Sequence, residues 1–125
     1  RSAYEWILMS FEKNEIDEII EFLSEEVAEA FYEVVEQRVS QGLTIEAEFI
    51  GIREMKLMAA SYSSKTKTAE ISVSFVGEMT SVVKNSSGEI VEGDSKQIKR
   101  QKDTWTFSKD IKSSNPNWLL VATGE

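Results

Sequence analysis

The chain reads as a single α+β domain in which three N-terminal helices pack on a curved four-stranded antiparallel sheet. Three observations predict this. Apolar residues recur at helical spacing up to Gln41, the period changes to two from Leu43 onward, and the strand signals that follow are separated by short polar turns. Sequential hairpins imply a meander, and helices grouped ahead of strands imply a layered α+β arrangement. Long bent strands with one apolar face would wrap around the third helix, leaving a cone with a pocket at its open end. The length, 125 residues, suits one unit spanning 1–125 with a core of its own.

The elements follow in order. Tyr4, Ile7, Leu8 and Phe11 form one apolar stripe of a first helix. Asn14 can cap a second helix whose acidic first turn suits the helix dipole and whose stripe is Ile16, Ile19, Ile20 and Leu23. Ser24 is the N-cap candidate of a third helix, with Val27, Phe31, Val34 and Arg38 on a side shared with Ala30 and Val35, and Gly42 stops it. Thr44 to Tyr62 is a long strand in which Gly51 marks a bulge or bend. In the second strand Ile71, Val73, Phe75, Gly77 and Met79 share one face, with Glu70, Ser72, Ser74 and Glu78 on the other. "NSSGE" is a hairpin signal. The third strand resumes at Ile90, crosses the polar "EGDSKQIKRQKD" and carries Trp105 and Phe107 on one face. "SSNPN", where Pro116 sets φ, turns the chain, and Trp118 opens the last strand, "WLLVAT".

Composition closes off much chemistry. There is no cysteine, hence no disulfide or thiolate site, and no histidine, hence no Ser-His-Asp or Cys-His arrangement. The net charge of −8 is uneven: residues 1–50 carry 13 acidic and three basic side chains, whereas residues 51–112 carry eight acidic and 11 basic ones. That balance argues against generic binding of nucleic acid and against whole-surface attraction to anionic lipid. No apolar run reaches the roughly 18–20 residues of a membrane span. The chain starts in helical period without an initiator methionine, which suggests a domain cut from a longer protein.

Phe31, Phe49, Phe75, Trp105, Phe107 and Trp118 all fall on apolar faces. Core packing accounts for such a set, and a cone pocket for an acyl chain or a partner's apolar side chain is the functional alternative. Trp6 and Met9 lie off the first helix's stripe, as a contact with a neighbouring segment or as an exposed patch for a protein partner. Lys96, Lys99, Arg100 and Lys102 are the one concentration of positive charge, either a solvated strand or a docking point for phosphate headgroups or an acidic partner, worth about 1 kcal/mol per residue near an anionic surface. Glu25, Glu26, Glu29, Glu33 and Glu36 make a helical carboxylate surface, solvated or facing a basic partner. Asp103, with Tyr4 or Tyr62 as the phenol, is the one carboxylate that a cone-type isomerase or hydrolase would use, and its simpler reading is an edge residue paired with Lys102 or a backbone amide. Nothing else forms a catalytic constellation, and no catalytic, cofactor-binding or metal-binding residue is expected.

The segments "SAYEWIL", "VAEAFYEVVEQRVSQG", "AEISVSFVGEMTSVV", "IVEGD", "DTWTF" and "NPNWLLVAT", in this order, resemble the C-terminal domain of the inner-membrane translocase subunit 44 family, the mitochondrial import-motor tether and its bacterial relatives. The acidic, compact form looks closer to the bacterial members. The resemblance implies a cone-shaped nuclear-transport-factor-two-like fold without enzymatic activity or cofactor. It also implies an adaptor at an inner membrane, peripheral or anchored upstream, whose partners are a translocon or chaperone component and anionic lipid, with a role in protein translocation or membrane-protein assembly. The alternative is a carrier of a small apolar ligand or acyl chain in the cone.

Overall fold

Two α-helices precede four strands, in the order α1 (Ser2–Glu12), α2 (Glu25–Ser40), β1 (Thr44–Ser63), β2 (Thr68–Lys84), β3 (Ile90–Asp110) and β4 (Leu119–Gly124). The computed structural model describes residues 2–112 and 118–124, so the turn containing Pro116 lies outside the described residues. The strands pair in sequence order as an antiparallel meander. The architecture is the α+β layering that the patterning predicts.

Between the helices, the expected second helix is a pair of 3-10 turns, Ile16–Glu18 and Ile20–Phe22. The reason lies in Asn14, which ends α1 and does not start a helix. Its φ is +62°, its amide donates to the Phe11 carbonyl at 3.2 Å, and the Glu15 amide donates to Ser10 at 2.7 Å. This is a Schellman stop, in which asparagine tolerates the left-handed backbone. Glu15, at the N-cap position of the first 3-10 turn, makes no side-chain capping bond. Ile16, Ile19 and Phe22 repeat every three residues, the spacing that eclipses in a 3-10 turn. Ile16 and Ile19 are buried, while Ile20, expected on the apolar stripe, is exposed.

Helix α2 follows its cues closely. The Ser24 Oγ accepts from the Val27 amide at 3.3 Å, and Gly42, at φ +70°, closes a second Schellman stop in which Leu43 donates to Arg38 at 2.8 Å. Val27, Ala28 and Phe31 are buried, whereas Ala30 and Val34 turn outward.

In the sheet, directly opposed residues share a face. The register sets Ile71 beside Phe107, Val73 beside Trp105, Phe75 beside Asp103, Gly77 beside Gln101 and Met79 beside Lys99. This face receives the helices, and its residues Phe75, Met79 and Trp105 join Tyr4, Ile7, Leu8, Ile16, Ile19, Phe31 and Leu120 in the core. Ser72 and Thr106 bond at 2.8 Å on the opposite face. β1 slips register three times, first between Phe49 and Gly51, where the glycine predicts a bulge. β3 makes a larger excursion: Met79 pairs with Lys99 but Ser81 pairs with Asp94, so residues 95–98 bow out of the ladder. Gly93 enters that excursion at φ +87°, where a Cβ would run into the Ser81 carbonyl. Beside β4, the Ser24 amide donates to the Leu120 carbonyl at 2.9 Å and fixes the start of α2 to the sheet.

Arg38 ties the C-terminal ends of the two helices together. Its Nη1 donates to the Phe11 carbonyl at 2.9 Å and to the Asn14 Oδ1 at 3.0 Å, its guanidinium lies 4.6 Å above the Phe11 ring, and its Nη2 is 3.9 Å from the Glu12 Oε2. Truncating it strips α1 of a C-terminal cap and leaves Glu12 without its nearest cation. Arg38→Ala is therefore expected to cost about 3 kcal/mol, measured as the shift in urea-denaturation free energy, and Arg38→Lys recovers less than half of that loss because one ammonium cannot reproduce the fork. An Arg38→Ala cost below about 0.5 kcal/mol would show that the cap contributes nothing.

Candidate functional site

The helix-facing side of the sheet is organised around Tyr4. Its position in the first turn of α1 sets the ring over the middle of β2 and β3. The ring stacks on Phe75 with centroids 4.2 Å apart and planes 7° apart, leans on Trp105 at 4.7 Å and meets Phe49 edge-on at 6.3 Å. Gly77 makes room for it, since a Cβ there would stand 3.3 Å from the ring and from the hydroxyl. The Tyr4 hydroxyl donates to the Asp103 Oδ2 at 2.8 Å, and the Gln101 Nε2 donates to the Oδ1 at 3.3 Å. Burial, reinforced by the Asp103 carboxylate, pushes the phenol well above its ordinary pKa, so Tyr4 stays protonated and donating.

This plug divides the face into separate hollows. On one side is an apolar groove of about 370 Å³, lined by Ala3, Tyr4, Met55, Leu57, Ile71, Val73, Phe75, Phe107 and Trp118. Met55 and Leu57 are 55% and 61% exposed, so this wall is open to solvent. The neighbouring end of the sheet, where the Ile111 amide donates to the Lys67 carbonyl, carries Lys65, Lys67, Lys109 and Lys112 against two acids, Glu70 and Asp110. On the other side of Tyr4, a depression of about 260 Å³ lies between α2 and the β3–β4 edge, with Phe11, Phe31, Ala30, Val34 and Trp105 as walls and Glu12, Gln101 and Asp103 as polar members. A third hollow, also about 260 Å³, sits beside the bowed segment of β3 and includes Glu12, Glu92, Asp94 and Lys99.

Glu12 borders both polar hollows. Burial pushes its carboxyl above the ordinary glutamate value, Arg38 and Lys99 draw it down, and the nearby Asp103 charge pushes it up again. Its contact with Arg38, at 3.9 Å, is long for a carboxyl so far removed from water.

A family model described as the Tim44-like domain matches residues 1–125. The chain belongs to the Tim44-like domain family. The crystal structure of the intermembrane space region of the chloroplast protein ARC6 shares the fold, with a TM-score of 0.58 over 93% of this chain and 82% of that one at 10% sequence identity. A search of curated proteins returns no match. Tim44-like domains are membrane-associated and work with protein partners. Among the described residues of this one, no helix is long and apolar enough to cross a membrane.

Within the Tim44-like domain, the aromatic residues singled out in the sequence do not form one pocket. Phe75, Phe107 and Trp118 line the apolar groove, Phe31 and Trp105 line the depression, and Phe49 packs edge-on against Tyr4. Met9 packs against the core, and Trp6, 44% exposed, rests edge-on against Phe22 at 5.0 Å. The basic run is dispersed: Lys99 faces the helices near Glu12, Arg100 lies on the opposite face 3.5 Å from Glu78, Lys102 is exposed, and Lys96 belongs to the bowed segment. Glu25, Glu26, Glu29, Glu33 and Glu36 are all exposed on α2. Asp103 is buried and bonded to Tyr4, not an edge residue paired with Lys102. Glu12 and Gly77 went unremarked as site residues. The legible signals were an acid at the end of an apolar helix stripe and a glycine within an apolar strand face.

Two measurements probe this geometry. Tyr4→Phe keeps the ring stack but removes one donor from a buried carboxylate, for an expected loss of about 1–3 kcal/mol in denaturation free energy. For Glu12, the raised folded pKa means that stability is fully present below the unfolded value of 4.5 and declines as pH rises through the folded one. Relative to Glu12→Gln, the parent is therefore expected to lose stability as pH rises above 4.5. A flat difference across that range would show that Glu12 is fully compensated.

Proposed function

We propose that this Tim44-like domain is a non-enzymatic adaptor that holds an apolar segment of a protein partner at a membrane. The apolar groove carries the proposal. Groups such as Met55 and Leu57 gain about 25 cal/mol per Å² when covered, and they stand exposed beside Phe107 and Trp118 in a hollow with almost no polar lining. The four lysines at the adjacent sheet end suit a partner segment with acidic flanks, or one that lies against anionic headgroups. A non-enzymatic role is supported by Asp103, since both of its oxygens accept from fixed donors within the packing. Translocation or membrane-protein assembly at an inner membrane is the setting proposed for it, with a translocon or chaperone component as the partner.

A second reading has its own support. A volume of about 370 Å³ falls within the roughly 300–1,000 Å³ of small-molecule pockets, so the groove can also take an acyl chain.

A photo-crosslinking residue at Leu57 separates the two. In membrane preparations it is expected to join a discrete protein through an apolar stretch mapped by mass spectrometry. The same residue at Val39, exposed on α2, should give at least about tenfold less product. Equal yields at both positions would overturn the adaptor reading. Saturable binding of a fluorescent fatty acid that Leu57→Asp abolishes, without a protein adduct, would establish the carrier.

A further inference from the structure

β1 is an edge strand: among the described residues it pairs with β2 on one side and with no strand on the other. Over residues 44–51 its burial alternates, but every residue from 53 to 63 is exposed. This outer half carries Met55, Leu57, Met58 and Tyr62, all more than half exposed, on a strand whose outward amides and carbonyls have no partner in the sheet. The register with β2 sets Met55, Leu57, Ala60 and Tyr62 on the helix-facing side, so the edge is also the open wall of the apolar groove. At the end of that row stand Lys109, opposite Ala69 on the same face, and the lysines of the adjoining turns, Lys65, Lys67 and Lys112. The acids of this sheet end, Glu70 and Asp110, fall on the other face. The ion pairs among the described residues involve none of these four lysines.

We propose that the free edge of β1 over residues 54–63 takes up an extended segment of a partner protein as a fifth, antiparallel strand, with apolar side chains on the groove side and acidic residues at its N-terminal end. The inference rests on the adaptor reading and adds the conformation and direction of what the groove holds. An edge offers amides and carbonyls at alternate residues, and an extended chain satisfies them while setting every second side chain on one face. A helix laid in the groove would leave those groups unmatched, and an acyl chain has no donor or acceptor along its length. Charge gives the direction. β1 runs toward the lysines, so an antiparallel chain starts beside them, and carboxylates in its first residues complement Lys65, Lys67 and Lys109. Antiparallel pairing is also the more stable kind. The edge itself limits the occupant's length. β1 slips register between Ile52 and Glu54 and again between Leu57 and Ala59, which leaves ladder runs of residues 54–57 and 59–63. Such bulges keep long strands from docking edge to edge. A second copy presenting its own β1 would have to match them rigidly, and the net charge of −8 opposes self-association. A flexible segment of about seven residues, about 23 Å long, bends to follow them.

The test uses the peptide acetyl-Asp-Asp-Val-Thr-Val-Thr-Val-amide, titrated into the isotopically labelled protein and followed by amide NMR and hydrogen exchange. At saturation, alternate amides over residues 54–63 are expected to exchange at least about tenfold more slowly, with those of α2 unchanged. N-methylating the valines and N-methylating the threonines should give affinities that differ at least about tenfold, because alternate backbone groups of a strand face opposite sides. The reversed peptide, with its aspartates at the C-terminus, should bind at least about tenfold more weakly. The same loss is expected for the parent peptide with the double variant Lys65→Glu and Lys112→Glu, both exposed turn residues whose reversal leaves the fold intact. No binding at about 1 mM peptide, equal effects of the two methylated sets, or equal binding of the reversed peptide would overturn the proposal. So would binding without slowed exchange at residues 54–63, or a dimer whose β1 edge is protected before peptide is added. The Leu57 crosslink needs no backbone pairing. A protein adduct there alongside any of these results removes the added strand and leaves the adaptor, whereas equal adducts at Leu57 and Val39 remove the adaptor itself.

Discussion

The hydrogen bond from Tyr4 to Asp103 sets the rest of the structure. A carboxylate on the helix-facing side of a sheet is costly unless donors reach it, and the cost of leaving it bare exceeds what most single apolar contacts return. The Tyr4 hydroxyl supplies a donor from α1, which lies at the opposite end of the chain. That requirement fixes the position of α1 along the sheet. A shift of one turn would present Ile7 or Leu8 to Asp103, and neither has a donor. The ring then finds its place between Phe75 and Trp105, and Gly77 is the residue whose missing side chain admits it. Apolar packing would tolerate several placements of the helix; the polar pair selects one.

Because Tyr4 occupies the middle of the face, what would otherwise be a single cone becomes an apolar groove on one side and a depression with polar members on the other. Charge follows the same division. The helical layer exposes its glutamates above the depression, and the groove ends among Lys65, Lys67, Lys109 and Lys112. The net charge of −8 hides this separation, and so does the apparent basic cluster "KQIKRQK". Strand alternation sends Lys99 toward Glu12 and Arg100 toward Glu78, so the sequence neighbours do not act as one patch.

Local rules made much of the fold legible. Ser24 and Gly42 bracket α2 because capping chemistry is set by a few adjacent residues. The alternation from Ile71 to Met79 reports the buried face of β2 because that face is covered along most of its length. Asn14 misled because asparagine serves both an N-cap and a left-handed stop, and only the bond from Glu15 to Ser10 decides between them. Ile20 misled because the helical period of 3.6 and the 3-10 period of three agree on Ile16 and Ile19 and diverge from there onward. The site was less legible for a different reason. Tyr4 and Asp103 are 99 residues apart, and which aromatic side fills the cone depends on how α1 lies across the sheet, which no local pattern encodes. The aromatic set itself was visible; its division between two hollows was not.

The two hollows share more than a wall. Tyr4 lines the groove with its ring, and its hydroxyl ends on Asp103, which lines the depression. Glu12 lies close enough to feel the Asp103 charge, so a change in the charge of Glu12 alters how strongly Asp103 holds the Tyr4 hydroxyl. Whatever free energy that takes from the buried bond must reappear as a change in how firmly the ring holds its place in the groove, and linkage requires the effect to be reciprocal. An occupant pressing on the ring from the groove side would bear on Asp103 in the same way. The coupling needs no conformational relay. It is a property of placing one buried phenol with its ring against one hollow and its hydroxyl on a residue of another, and its size is bounded by the worth of that single hydrogen bond, about 1–3 kcal/mol.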